Sequence, residues 1–241
     1  MEASANDTAY DSTYKAFKTH LKKSWKQSPK CDHEQNTCAC RKPFYRMNSL
    51  IEWMLTAHEQ HKQKLNIELL LEREKPISNR NFDDPKTVFD SSNQCIRVFS
   101  ILLKLKRGNL IYIFQDAGIT DEHLDKNLEK SHPSYRKLIQ GLKGCQNLGC
   151  EPEKIFDDFE DEKWNFSPVY LEYSMDKEFG KLYRLPFCER RVISKGGTAS
   201  VMEGLVHEEF VSTELKKYLE EPGFKPDHGG MVSMIAFLGI F

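Results

Sequence analysis

The chain has 241 residues, 35 Lys and Arg against 36 Asp and Glu, 39% hydrophobic residues and a mean hydropathy of -0.61. That length suits one large core or two small ones. The composition excludes collagen-like, low-complexity and wholly disordered classes, and a net charge of -1 excludes a global attraction for nucleic acid or an anionic membrane.

The opening "MEASANDTAYDSTYK" has no apolar core behind a basic start, so it reads as neither a secretory signal nor a membrane span. Seven cysteines, an odd number, then favour reduced thiols and an intracellular protein, cytoplasmic or nuclear. Tyr14, Phe17, Leu21 and Trp25 recur at helical spacing among lysines and predict a basic amphipathic helix. Residues 1–46 carry nine Lys/Arg against five Asp/Glu. A polar loop follows, and "FYRMNSLIEWMLTAHEQHKQKL" resumes the helical period through Met47, Leu50, Ile51, Met54 and Leu55. In "FDDPKTVFDSSNQCIRVFSILLKLKRG", Asp84 reads as an N-cap, Pro85 as the first helical residue and Gly108 as the stop, with a stripe through Cys95, Val98, Phe99, Leu102 and Leu103. "NLIYIFQDAGI" reads as a short helix ended by Gly118, and Thr120 with the acids after it starts another.

"EPEKIFDDFEDEK" holds seven acids against two lysines and reads as a solvated face. From Trp164 the sequence turns aromatic, proline-rich and β-branched, which predicts strands. Val169, Leu171 and Tyr173 alternate in one. Arg191–Ser194 and Val201–Phe210 form a pair around a glycine turn. Lys216 and Lys217 fall in a stretch that reads helical, and the apolar run from Met231 is too short to cross a bilayer and suits a buried strand or helix.

Two constellations could carry chemistry. Cys31, His33, Cys38 and Cys40 are four zinc-compatible ligands within ten residues, but Cys-x-His and Cys-x-Cys gaps are tighter than those of most fingers, and the spacing fits an incidental or redox-sensitive loop better. His58 and His61 stand three apart on an expected helix without a third ligand in sequence reach. The second constellation is the turn Ser194, Lys195, Gly196, Gly197, Thr198, Ala199, Ser200, Val201. Against the kinase loop G-x-G-x-x-G-x-V, whose backbone N–H groups face ATP phosphates, only the middle glycine survives, at Gly196, and an ordinary hairpin fits the spacing too. No G-x-S-x-G elbow, H-E-x-x-H or Walker A loop occurs, and no catalytic residue is assigned.

"LPFCERRVISKGGTASVMEGLVHEEF", preceded by "FEDEKWNFSPVYLE", resembles the segment leading into the kinase domain of fungal, largely uncharacterised protein kinase-like proteins. "CIRVFSILLKLKRGNLIYIFQDAGITDEHL" is similar to the helical region those proteins carry upstream. The likeness spans roughly residues 45 to 211. It implies a helical regulatory region joined to the first hairpin of a kinase N-lobe, with ATP and magnesium as the ligands of a complete lobe. Nothing here resembles the Val-Ala-Ile-Lys strand, and neither the catalytic-loop nor the magnesium aspartate is found, so phosphoryl transfer by this chain is not expected. The apolar end does not resemble the family's continuation and suggests a truncated reading frame.

The expected fold is therefore α+β: a basic helix and Cys/His loop at 1–46, a helical regulatory or interaction domain at 47–163, and a β-rich partial kinase-like lobe at 164–241. The expected function is that of a non-catalytic intracellular interaction or regulatory protein with a protein partner and not nucleic acid. Two alternatives stay open: a fragment of a serine/threonine kinase that binds ATP when full length, and a zinc-stabilised module that binds protein or nucleic acid.

Overall fold

The protein is described from a computed structural model, which covers residues 5–26, 42–74, 88–89, 94–145, 149, 151–173, 175, 182–195, 199–219 and 231–239. The fold is α+β, mostly helical with antiparallel strands. It divides into two compact units, one of Met1–Ser24 with Arg46–Phe166, the other of Trp25–Tyr45 with Ser167–Phe241. The 1–46 stretch is thus shared: its helix joins the first unit and the residues after it the second.

In the first unit, α1 (Ala5–Ser24) buries Phe17 and Leu21 and leaves Lys15, Lys18, Lys22 and Lys23 exposed, as the spacing predicts. The apolar stripe packs on α2 (Asn48–Met54) and α3 (Asn66–Arg73), and Tyr14 donates to the Leu103 carbonyl at 3.1 Å. Trp25 is not part of this stripe: it pairs with Tyr45 in a short ladder of β1 (Trp25–Lys26) and β2 (Phe44–Tyr45) and is 42% exposed.

Of the helix expected over 44–65 only α2 forms, and α3 begins just past that stretch, at Asn66. The Asn66 side chain donates to the carbonyls of Trp53 (2.9 Å) and Thr56 (3.2 Å), which end α2, and Glu68 accepts from the Leu65 N–H at 2.6 Å, which starts α3. These side-chain bonds compete with continuous helix. His58 and His61 consequently sit in the intervening turn, not on a helix: His58 Nδ1 accepts from the N–H groups of Gln60 (3.3 Å) and His61 (3.2 Å).

Helix α4 (Ile96–Lys104) is the core of this unit; Ile96, Val98, Phe99, Ser100, Ile101, Leu102 and Leu103 are all buried. It starts at Ile96, well after the predicted cap, since Gln94 and Cys95 are not helical; Asp84 and Pro85 lie outside the described residues. It also ends before Gly108. Lys106 takes the left-handed conformation (φ 58°), its N–H reaching the Leu103 carbonyl while that of Arg107 reaches Leu102, a Schellman ending that glycine usually provides. Helix α5 (Ile111–Asp116) ends in the same way with Gly118 (φ 74°), as predicted. After it Asp121–His123 form only a 3-10 turn, shorter than the helix expected there.

The acidic run is a helix, α7 (Pro152–Phe166), that follows α6 (Pro133–Lys143) and extends past Trp164, where strands were expected. Its apolar positions were hidden among acids: Ile155, Phe156, Phe159, Trp164 and Phe166 are buried, with Phe159 at 4.7 Å from the Phe114 ring. Outward acids meet basic groups of other elements, Glu162 with Lys104 and Glu153 with Lys143 at 3.4 Å, pairs that contribute little individually. Lys163 is buried; its ammonium donates to the Lys126 carbonyl and to Glu160 at 2.8 Å. Burial pushes the lysine's pKa down and that of Glu160 up, and each partner's charge opposes the other's shift.

The second unit holds a three-stranded antiparallel sheet in the order β3 (Phe187–Lys195), β4 (Ala199–His207), β5 (Met231–Gly239), with α8 (Thr213–Leu219) between β4 and β5 in the chain. The predicted strand pair and helix are present, although β4 ends at His207 and Glu208–Phe210, expected in the strand, form a 3-10 turn. The strand expected over 169–173 does not form: Leu171 makes one parallel bridge to Val211, its N–H donating to Phe210 at 2.7 Å. Val169, Leu171, Leu185, Phe187, Val206, Phe210, Val211 and Leu215 form the core, and Phe44 of β2 closes it edge-on against Phe210 (ring centroids 5.5 Å).

Gly204 lies under Phe187. A Cβ there would meet the ring at 2.5 and 2.7 Å. Gly204→Ala should therefore destabilise this unit by about 1–3 kcal/mol, the usual range for overpacking, and Phe187→Leu in the same chain should recover part of it. Urea unfolding of the single and double variants measures both; an unchanged midpoint for Gly204→Ala would refute the packing.

Candidate binding site at the head of helix α4

The first turn of a helix leaves backbone N–H groups without intrahelical partners. In α4 that turn is buried, and its N-cap residue, Cys95, offers only a thiol, which turns instead toward the Ile119 carbonyl (3.8 Å). The missing acceptor comes from another element. Asp121, in the 3-10 turn, accepts from the N–H of Arg97 through Oδ2 and from that of Val98 through Oδ1, both at 3.0 Å, while its own N–H donates to the Gln94 carbonyl at 2.9 Å. The turn is itself held by a box: His123 Nδ1 accepts from the Thr120 N–H (3.3 Å) and lies 3.0 Å from Thr120 Oγ1. With Nδ1 as acceptor, the neutral imidazole carries its proton on Nε2.

Burial pushes Asp121 up to about 6 from 3.8, against the backbone N–H groups and the Arg97 charge, which favour its ionised form. The Cys95 thiol is pushed up to about 12 by burial and then by the Asp121 charge, so it is no nucleophile at neutral pH. Beside the cap lies a cavity of about 570 Å³. Ile51, Leu55, Phe89 and Ile96 supply apolar lining; Gln94, Arg97, Thr120, Asp121, Glu122 and His123 supply polar lining.

The candidate residues from the sequence fall elsewhere. Ser194 and Lys195 end β3, and Ala199 and Val201 begin β4, with Ser194 opposite Val201 and Lys195 opposite Ser200. Gly196, Gly197 and Thr198, the turn itself, lie outside the described residues, as do Cys31, His33, Cys38 and Cys40. Among the described residues no group of three or more His, Cys, Asp or Glu could hold a metal ion. No protein-family model, curated protein or solved structure matches the chain. No helix among the described residues is long and apolar enough to cross a membrane. The sequence marked Thr120 and its acids as a helix start but gave no sign that Asp121 caps a different helix.

The sign of the pH dependence follows from the Asp121 shift. An acid whose pKa is higher folded than unfolded binds its proton more tightly in the native state, so its stabilisation is full below pH 3.8 and is lost as pH rises through about 6. At 1.36 kcal/mol per pH unit the loss is roughly 3 kcal/mol at most. Urea unfolding of the wild type and Asp121→Asn across this range should show the wild type gaining stability relative to the variant as pH falls; parallel profiles would rule the shift out.

Proposed function

We propose that the chain is a non-catalytic interaction or regulatory protein, resembling the N-terminal part of a fungal protein kinase-like protein, whose interaction element is the outer edge of β5. The observation that carries this reading is the sequence of β5, "MVSMIAFLG": nine residues with no ionisable group and no proline. In chain order β5 is the third strand of the sheet, and the third strand of a kinase lobe carries the lysine that holds the ATP phosphates. Without it the glycine hairpin lacks the cation that would neutralise a bound triphosphate.

The two outer edges of the sheet also differ. β3 carries Glu189, Arg190, Arg191 and Lys195, and its ladder to β4 shifts register twice, between Phe187 and Glu189 and between Val192 and Ser194. Charges and bulges are the devices that keep an edge from pairing. β5 has neither: it pairs with β4 residue for residue from Met231–His207 to Gly239–Ala199, and among the described residues no strand pairs with its other side. An edge of this kind accepts an extended segment through main-chain hydrogen bonds. A second copy fits by symmetry, since β5 paired antiparallel with itself about Ile235 brings no two charges together, whereas β3 paired with itself would crowd four charged residues.

Two measurements test the reading. Sedimentation should give a concentration-dependent dimer that Ile235→Lys converts to monomer, and magnesium with millimolar ATP should leave the thermal midpoint unchanged, because a ligand of the native state must raise it. A monomer at every concentration would remove the edge pairing, and a raised midpoint with ATP would favour a nucleotide-binding kinase fragment instead.

A further inference from the structure

We propose that the cavity at the head of α4 binds a small monocarboxylate with an apolar body, the carboxylate paired with Arg97 and the body lying on Ile51, Leu55, Phe89 and Ile96. The site is independent of what β5 binds. Its volume, about 570 Å³, is within the range of small-molecule sites. Its lining is mixed, with the apolar Ile51, Leu55, Phe89 and Ile96 beside polar groups that can fix a ligand's orientation.

Arg97 is the group that selects the ligand. It lines the cavity, and only it and Lys104 in α4 escape burial. Its backbone N–H is bonded to Asp121, but its guanidinium makes no hydrogen bond or ion pair with any described residue. The nearest acid, Asp121, is oriented toward the helix by the N–H groups of Arg97 and Val98, one on each oxygen, and not toward the guanidinium. A half-buried guanidinium with five donors in a planar fork and no acceptor matches a carboxylate in two parallel hydrogen bonds.

The other charges set the ligand's valence. Asp121 and Glu122 line the same cavity, and His123 is the remaining titratable group there. With one arginine and two acids the lining is net negative, so every negative charge on a ligand beyond the one that Arg97 pairs is opposed, and a dianion such as a phosphate monoester is disfavoured relative to a monocarboxylate held directly by the guanidinium. The four apolar residues require a hydrocarbon part, which separates this site from one for a small inorganic anion.

Phenylpropionate is a suitable probe, with phenylpropanol, phenylpropylamine, phenylalanine and phenyl phosphate as comparisons, read by thermal shift and by titration calorimetry on the full chain. Phenylpropionate should raise the midpoint at millimolar concentration; the alcohol, the amine and the phosphate should not. A response to phenylalanine stronger than to phenylpropionate would mean that Glu122 adds an ammonium site and would overturn the simple monocarboxylate. Arg97→Gln should weaken phenylpropionate binding about tenfold or more, as expected for loss of a charge-assisted pair, while its own midpoint without ligand stays near wild type. Leu55→Ser, at an exposed position that tolerates the change, should weaken binding through the body alone. No shift with the carboxylate, an equal shift with the alcohol, or undiminished binding by Arg97→Gln would each overturn the proposal.

Discussion

The first unit depends on a carboxylate supplied across the fold. Seven of the nine α4 residues are buried, so the helix's first N–H groups cannot be left to water, and an unsatisfied buried donor costs about 1–3 kcal/mol. Cys95 at the N-cap cannot serve. Asp121 does, and it must be held in place to do so: Thr120 and His123 fix the 3-10 turn, Gly118 turns the chain into it, and the Gln94 carbonyl receives the Asp121 N–H in return. The arrangement joins the start of α4 to the end of α5 through main-chain groups, so neither element can shift without breaking the other's terminus.

The same burial that makes the cap necessary works against its charge. Two backbone N–H bonds and the Arg97 charge favour the carboxylate, while desolvation outweighs them and leaves Asp121 with a raised pKa. Lys163 shows a comparable balance at the base of α7, where a buried ammonium is retained because a carbonyl and Glu160 both receive it. Removing one partner of such a pair costs more than the pair contributes, because the remaining charge is left buried. These two sites tie the 3-10 turn and the 124–128 stretch that follows it to α4 and α7.

Local signals were legible in the sequence and long-range ones were not. The stripe of α1, the Gly118 ending, the glycine hairpin and α8 rest on residues near one another in the chain, and each was found. The break between α2 and α3 depends on Asn66 reaching back to Trp53, thirteen residues away, and the true cap of α4 is more than twenty residues downstream of the helix it caps. Asp84 and Pro85, a helix start by composition, lie outside the described residues, and α4 itself runs from Ile96. In α7 the acids outnumber the apolar residues, so charge density concealed a helical face. Lys106 takes a conformation that steric preference assigns to glycine, costing roughly 1–2 kcal/mol, because Gly108 falls two residues too late for the Schellman bonds to Leu102 and Leu103. The cavity was not legible at all, since its lining comes from four separate stretches that only tertiary packing assembles.

The cap and the cavity are two consequences of one choice. Arg97 and Asp121 are near enough for their charges to act on each other, and a direct ion pair between them would be the simple outcome for an Arg and an Asp in a partly buried place. The carboxylate is instead oriented by the helix, each oxygen accepting one backbone N–H, and in that orientation no hydrogen bond to the Arg97 guanidinium forms. Turning Asp121 toward the guanidinium would release N–H groups at the buried end of α4, where each lost bond carries a desolvation cost, whereas the half-buried arginine can still reach water. The backbone therefore takes the acid, and Arg97 is left lining a cavity of mixed polar and apolar character. An acceptor that fills that space from outside supplies what the fold withholds from Arg97, without disturbing the cap that keeps α4 buried.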